Sequence, residues 1–178
     1  ALTHKSYFPY LRHSGPDAVL ARGQWTSRQF PGLSWELLEG DFWERAPQAS
    51  AKPDLVFYDF FSHKTDTACW KLASFARLFE LVRSERSAEL FTYSASTAVR
   101  AGLLHAGFFV GAGVGTGVKK DTTVALTSGW AGAPRHALLG AEWLGKWDRS
   151  QAKFPDGLTE PERVAFEDKI RRHPQFAG

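Results

Sequence analysis

The stretch Asp54-Leu-Val-Phe-Tyr-Asp59-Phe-Phe-Ser-His-Lys64-Thr-Asp66-Thr-Ala-Cys-Trp70 decides how the chain folds. Leu55-Val56-Phe57-Tyr58 is a continuous apolar run of strand length, of the kind found where both faces of a sheet are covered, and it stops abruptly at Asp59. It reads as a central strand. Leu72, Phe75, Phe79 and Val82 then recur at three- and four-residue spacing, which predicts an amphipathic helix over about Thr67 to Arg83. Glu89 to Tyr93 reads as the next strand. Ser94 or Ser96 is placed to cap a helix carrying Val99, Leu103 and Ala106 on its apolar side, and Gly107 is placed to end it. Phe108 to Gly111 and Thr122 to Leu126 read as two strands joined by a glycine-rich hairpin. Alternation of this kind predicts an α/β fold.

Upstream, His4 to Gly23 has a helical pattern broken near Gly15-Pro16, and Leu33 to Leu38 reads as a strand running into Glu39-Gly40-Asp41. A loop with Pro47 and Pro53 follows. Beyond Gly129 the composition shifts to tryptophan, proline and charge. Leu139, Trp143 and Trp147 are spaced along one helix face, Thr159 with Glu162 has the form of a capping box, and His173-Pro174 supplies a stop. This predicts two parts, 1–128 and a C-terminal helical extension over 129–178.

Composition bounds the function classes. The 178 residues are 43% hydrophobic and 14% aromatic with charges of both signs, a globular rather than a disordered balance. The net charge is +3, a slight basic lean that permits a polyanionic partner without demanding one. A single cysteine, Cys69, excludes an internal disulfide and suits a reducing setting. The six histidines show no metal-ligand spacing, so no metal is expected. No apolar run approaches the roughly 20 residues of a membrane-spanning helix, and no signal peptide is visible, which points to a cytoplasmic protein. The sequence has no methionine, even at position 1, and the natural chain is expected to start upstream of Ala1.

In open α/β sheets ligands gather at the carboxyl ends of strands, where Asp59 falls. A carboxylate there can hold an amine over an electrophile and take its proton; it can equally be a loop or cap hydrogen bonder. Gly111-Ala-Gly113-Val-Gly115-Thr-Gly117 is followed by β-branched residues instead of a helix, so its glycines read as hairpin residues and not as a cofactor loop. Lys119 and Lys120 there suit RNA phosphates or an ordinary solvated turn. Trp70 reads as a packing anchor of its loop or a stacking platform, and Tyr93 and Ser94 border the next strand end.

The segment around Asp59 resembles the MnmC-type methyltransferase pattern, with Asp59, Phe61, Ser62, Lys64, Thr65, Asp66 and Trp70 in matching order and spacing. A second block, Leu90 to Arg100 followed by Ala106-Gly107-Phe108 and Gly115 to Lys119, resembles the same family at the same distance downstream. The likeness runs from Tyr7 to Leu126, and His173-Pro-Gln-Phe176 is similar to the ending of the single-domain branch, which lacks a flavin-dependent oxidase domain. Phe60, His63 and Thr67 depart from the motif, where the family has a small residue and two prolines.

The resemblance implies a Rossmann-like, mainly parallel sheet with an antiparallel last strand, in which Leu33 to Leu38 is the third strand. The first two strands and their glycine loop are then expected before Ala1, so this segment alone is expected to bind S-adenosylmethionine (SAM) poorly. It further implies N-methylation of an aminomethyl group on a modified tRNA wobble uridine. Asp59 is the implied catalytic residue, with Gly40, Asp41, Phe42 and Asp59 at the cofactor. Phe61, Ser62, His63, Lys64, Trp70, Tyr93, Ser94 and Lys119 are implied at the substrate. The alternatives are a non-catalytic RNA-binding module on a decayed scaffold and a methyltransferase of a small-molecule amine.

Overall fold

The computed structural model describes residues 12–61, 65–83, 86–115, 117, 121–127 and 136–177, and the chain divides into two units, Ala1–Ala51 and Lys52–Gly178. Ser62, His63, Lys64, Lys119 and Lys120 lie outside the described residues, as does the start of the helical pattern at His4.

In the first unit, helix α1 spans Gly15–Arg22. The sequence pattern places a break at Gly15-Pro16, but Pro16 begins the helix there, because the first turn needs no proline N–H. Gly23 ends it in the left-handed region, with its N–H donating to the Val19 carbonyl. Strands β1 (Gln24–Thr26) and β2 (Ser34–Glu36) form an antiparallel two-stranded sheet, with Trp25 opposite Trp35. The predicted strand at Leu33–Leu38 is thus shorter than expected, and its partner is a strand the apolar pattern does not reveal, since all of Ser34–Glu36 is exposed. Helix α2 (Phe42–Arg45) follows Asp41.

The second unit holds a four-stranded sheet in the order β3-β4-β6-β5, made of Leu55–Phe57, Glu89–Thr92, Asp121–Leu126 and Phe109–Val114. β3 and β4 are parallel, while β6 lies antiparallel between β4 and β5. Mixed α/β architecture with an antiparallel last strand is therefore present, and the glycine-rich segment does form a hairpin. β3 is the outer strand of this sheet rather than a central one, and Phe57 is 74% exposed. Gly111 is needed for close packing: a side chain there would meet the Ala137 carbonyl at 2.6 Å.

Helices α3 (Leu72–Val82) and α4 (Thr97–Ala106) cover the sheet with Phe75, Leu78, Val82, Leu103 and Leu104, all fully buried. Each such side chain contributes about 2 kcal/mol. The helix predicted from Thr67 starts at Leu72 instead, after a 3₁₀ turn over Thr67–Trp70. Two side-chain donors account for this: the Ser74 hydroxyl donates to the Ala68 carbonyl and the Tyr58 hydroxyl to the Cys69 carbonyl, so neither oxygen serves an α-helical ladder.

The C-terminal segment docks through α5 (Ala141–Asp148) and α6 (Glu160–Arg171), which bury Trp143, Trp147, Phe166 and Ile170. The Thr159–Glu162 capping box forms. Past the helix, Gln175 closes the outer edge of β5. Its Oε1 accepts from the Val110 N–H at 2.6 Å, and its Nε2 donates to the Val110 and Leu139 carbonyls at 2.7 and 2.8 Å.

The His105 ring stacks on Phe166 at 4.7 Å, and burial first, then Lys169, pushes its pKa down to about 4. His173 is lowered by the same two causes. Both shifts favour the neutral imidazole in the fold; the stabilisation from His105 is complete above about pH 6.5, the unfolded value, and is lost as pH falls from there toward 4, and His173 acts in the same direction. Urea unfolding measured across that window should show falling stability, and His105→Phe, which keeps the stack, should flatten the slope.

Candidate functional site

Asp59 sits two residues beyond the carboxyl end of β3, exposed, at the head of the loop that runs to Trp70. Its neighbour Tyr58 points the other way: strand alternation buries that side chain almost completely. The Tyr58 amide donates to the Phe91 carbonyl at 2.8 Å, extending the pairing with β4 up to the site. Burial, aided by Cys69 and Asp66, pushes the Tyr58 hydroxyl well above its ordinary pKa, so it stays a proton donor.

Donors reaching from the core fix the loop. Tyr58 Oη donates to the Cys69 carbonyl, Trp70 Nε1 to the Phe61 carbonyl at 2.7 Å, and Tyr93 Oη to the Phe60 carbonyl at 3.3 Å. Trp70 packs edge-on to Tyr58 and Tyr93, and Phe60 turns its ring against Tyr58 at 4.9 Å. Both ends of the loop are therefore held although the family's two prolines are absent. Phe61, by contrast, is 77% exposed.

The end of β4 is held from a different direction. Arg100 on α4 is only 3% exposed; its Nε donates to Thr123 Oγ1 at 3.0 Å, and its Nη2 donates to Asp121 Oδ2 and the Thr122 carbonyl, both at 2.8 Å. Thr123 Oγ1 in turn donates to the Ser94 carbonyl at 2.6 Å. This chain of bonds ties Ser94, next to Tyr93, to β6. Neither Arg100 nor Tyr58 stands among the sequence-predicted site residues. The signal for Arg100 is a cation beside Val99 and Leu103 on a mostly apolar helix.

A cavity of about 580 Å³ opens beside this loop, lined by Thr67, Trp70, Ser96 and Val99 on one side and by Lys153 and Phe154 of the C-terminal segment on another. Of the sequence-predicted residues its lining includes Trp70, but not Asp59, Phe61, Tyr93 or Ser94.

Gly40, Asp41 and Phe42 belong to the first unit. Asp41 caps α2, its Oδ1 accepting from the Trp43 and Glu44 amides at 2.8 and 3.3 Å. A carboxylate has about four lone-pair sites, so the exposed Oδ2 retains acceptor capacity for a ligand amine. Gly40 has φ +133°, where a side chain would also meet Arg45, whose Nε donates to the Glu39 carbonyl at 2.7 Å. The turn is thus braced by Arg45 and by the Asp41 cap, with one Asp41 oxygen left over as an acceptor. Among the described residues no group of His, Cys, Asp and Glu is arranged to hold a metal, and no helix is long and apolar enough to cross a membrane.

Residues 20–128 match a family model described as S-adenosyl-L-methionine-dependent methyltransferase. The chain is similar to the tRNA 5-methylaminomethyl-2-thiouridine biosynthesis bifunctional protein MnmC of Ralstonia nicotianae, 39% identical over 89 residues, which are 50% of this chain and 13% of that protein. The protein of the same name from Chromobacterium violaceum is 33% identical over 110 residues, covering 62% of this chain and 16% of its own. The crystal structure of MNMC2 from Aquifex aeolicus superposes with a TM-score of 0.59 at 26% identity, over 87% of this chain and 49% of that one. The chain thus spans a small part of the two curated relatives and about half of the solved structure.

Proposed function

Because the chain belongs to the S-adenosyl-L-methionine-dependent methyltransferase family, we propose that it methylates the nitrogen of an aminomethyl group on a modified tRNA wobble uridine. Family membership makes SAM the cofactor. The tRNA part of the proposal is supported by the relatives named for tRNA 5-methylaminomethyl-2-thiouridine biosynthesis, and a tRNA substrate implies a cytoplasmic setting.

One observation carries the placing of the chemistry: an exposed carboxylate at a strand end, heading a loop whose backbone is pinned by three aromatic donors, Tyr58 and Trp70 buried and Tyr93 half-buried. Pinning matters because proximity contributes to rate only when the geometry is held before the substrate arrives. Asp59 accepts a hydrogen bond from the substrate amine and so directs its lone pair. As the nitrogen forms its bond to carbon it must shed a proton, and Asp59 takes it. Asp41 Oδ2 accepts from the adenine amine, with Gly40 and Phe42 beside it. Bound SAM supplies an electrophilic methyl group and leaves as a neutral thioether. Phe61, exposed beside Asp59, offers a ring to the uridine base, with Tyr93, Ser94 and Trp70 shaping the floor. Ser62, His63, Lys64 and Lys119 complete the proposed substrate contacts.

The test is transfer of tritium from methyl-labelled SAM by the native full-length protein. Label is expected in a nucleoside of digested tRNA bearing a methylated amine. Label confined to small-molecule amines would replace the tRNA reading, and no transfer to either would leave a binding module.

A further inference from the structure

The first unit carries a second surface that the methyl-transfer chemistry does not use. Between α1 and the β1–β2 hairpin lies a cleft of about 920 Å³, lined by Trp25, Trp35, Phe30, His13, Arg22 and Arg28 together with Leu33 and uncharged polar residues, and by no carboxylate. This volume lies in the range of ligand pockets. The rings are presented, not merely packed. Trp35 is 39% exposed and Phe30, on the hairpin turn, is 57% exposed. Both Arg22 and Arg28 are exposed as well.

The turn is preformed. Ser27 Oγ accepts from the Gln29 and Phe30 amides at 3.2 and 3.0 Å, and the Ser27 amide donates to the Leu33 carbonyl at 2.9 Å. Trp25, Trp35 and His13 form a ring cluster with centroids 5.1 to 5.3 Å apart, and Trp25 Nε1 donates to Ser14 Oγ at 3.2 Å, so the floor of the cleft is rigid. Aromatic faces held still beside cations of a single sign are complementary to a ligand that is both planar and polyanionic. An apolar protein partner would leave the two guanidinium groups facing its surface without counter-charge. Single-stranded nucleic acid supplies bases for the rings and phosphates for the arginines.

We propose that this hairpin cleft binds an unpaired stretch of RNA, with a base stacked on Phe30 or Trp35 and the backbone phosphates on Arg22 and Arg28. The inference rests on the RNA-substrate reading above and adds a contact apart from the Asp59 loop. It explains why the exposed strand Ser34–Glu36 carries a tryptophan, which a solvated hairpin does not need.

The test uses the native full-length protein and fluorescence anisotropy with two labelled RNAs, a stem with an unpaired loop and a duplex of equal charge. Phe30→Ala with Arg28→Gln changes the exposed rim and leaves the His13–Trp25–Trp35 cluster intact. Affinity for the loop RNA should fall about tenfold or more, the loss expected when one stacked base is released, and its salt dependence should flatten by about one phosphate contact. Duplex affinity should fall less, and affinity for SAM should hold. Unchanged loop-RNA binding, or an equal loss on duplex, overturns the proposal. If the wild-type protein binds no RNA, this inference and the tRNA reading fall together. If it methylates RNA while the double variant binds as wild type, this inference alone falls.

Discussion

Asp59→Asn should reduce methyl transfer by about a hundredfold or more, the usual scale for losing a positioned general base. Asparagine keeps the shape and one acceptor oxygen, so the amine can still dock. It cannot take the proton that the nitrogen must lose. Asp59 is exposed, and its replacement should shift stability by no more than about 0.5 kcal/mol, so a loss of activity cannot be assigned to unfolding. Affinity for SAM, read by titration calorimetry, should stay close to that of the wild type. Full activity in Asp59→Asn would remove the proposed role and move the chemistry elsewhere in the site.

The second large effect concerns Arg100. Its guanidinium is buried and satisfies the Thr122 carbonyl, Thr123 Oγ1 and Asp121 at once, so Arg100→Ala leaves these acceptors without their donor. Breaking a buried pair costs about 3 kcal/mol at the low end; that end applies because Asp121 is itself partly solvated, and the melting temperature should fall by about 9 °C. Lysine cannot reproduce the fork, so Arg100→Lys should recover only part of the loss. Activity should fall further than stability alone predicts. Ser94 is held through Thr123, and the adjacent Tyr93 holds the Phe60 carbonyl next to Asp59. Equal melting temperatures for Arg100→Lys and wild type would show that the planar fork is not what orders this corner.

How much of this was legible in the sequence depends on the range of the interactions. The alternation from Leu55 to Leu126 is written in local periodicity, so its strands, the helix ending at Gly107 and the hairpin could be read directly. The Thr159–Glu162 box spans four residues and is equally plain. Interactions that skip along the chain were not legible. Nothing near Arg100 announces Asp121 or Thr123, because their meeting depends on β6 inserting between β4 and β5. The start of α3 was misplaced for the same reason: the Tyr58 hydroxyl, eleven residues away, takes the Cys69 carbonyl. Strand β3 looked central because Leu55-Val56-Phe57 is apolar throughout, yet composition does not say on which side a strand is paired. The strand Gln24–Thr26 is only three residues long, too short for its single apolar residue to reveal a period.

Of the candidate site, the position of Asp59 followed from a strand-end rule and a motif. The means of holding it, aromatic hydroxyl and indole donors aimed at loop carbonyls, did not. Motifs record residue types in order, whereas pinning depends on which backbone oxygens face the core.

The account stands on Asp59 serving the transferred methyl. The direct measurement is single-turnover transfer of labelled methyl from SAM to tRNA by the native protein and by Asp59→Asn, followed across pH. The variant should be slower than the wild type by about a hundredfold or more at every pH. A variant that transfers label at the wild-type rate, with the same pH profile, would contradict it.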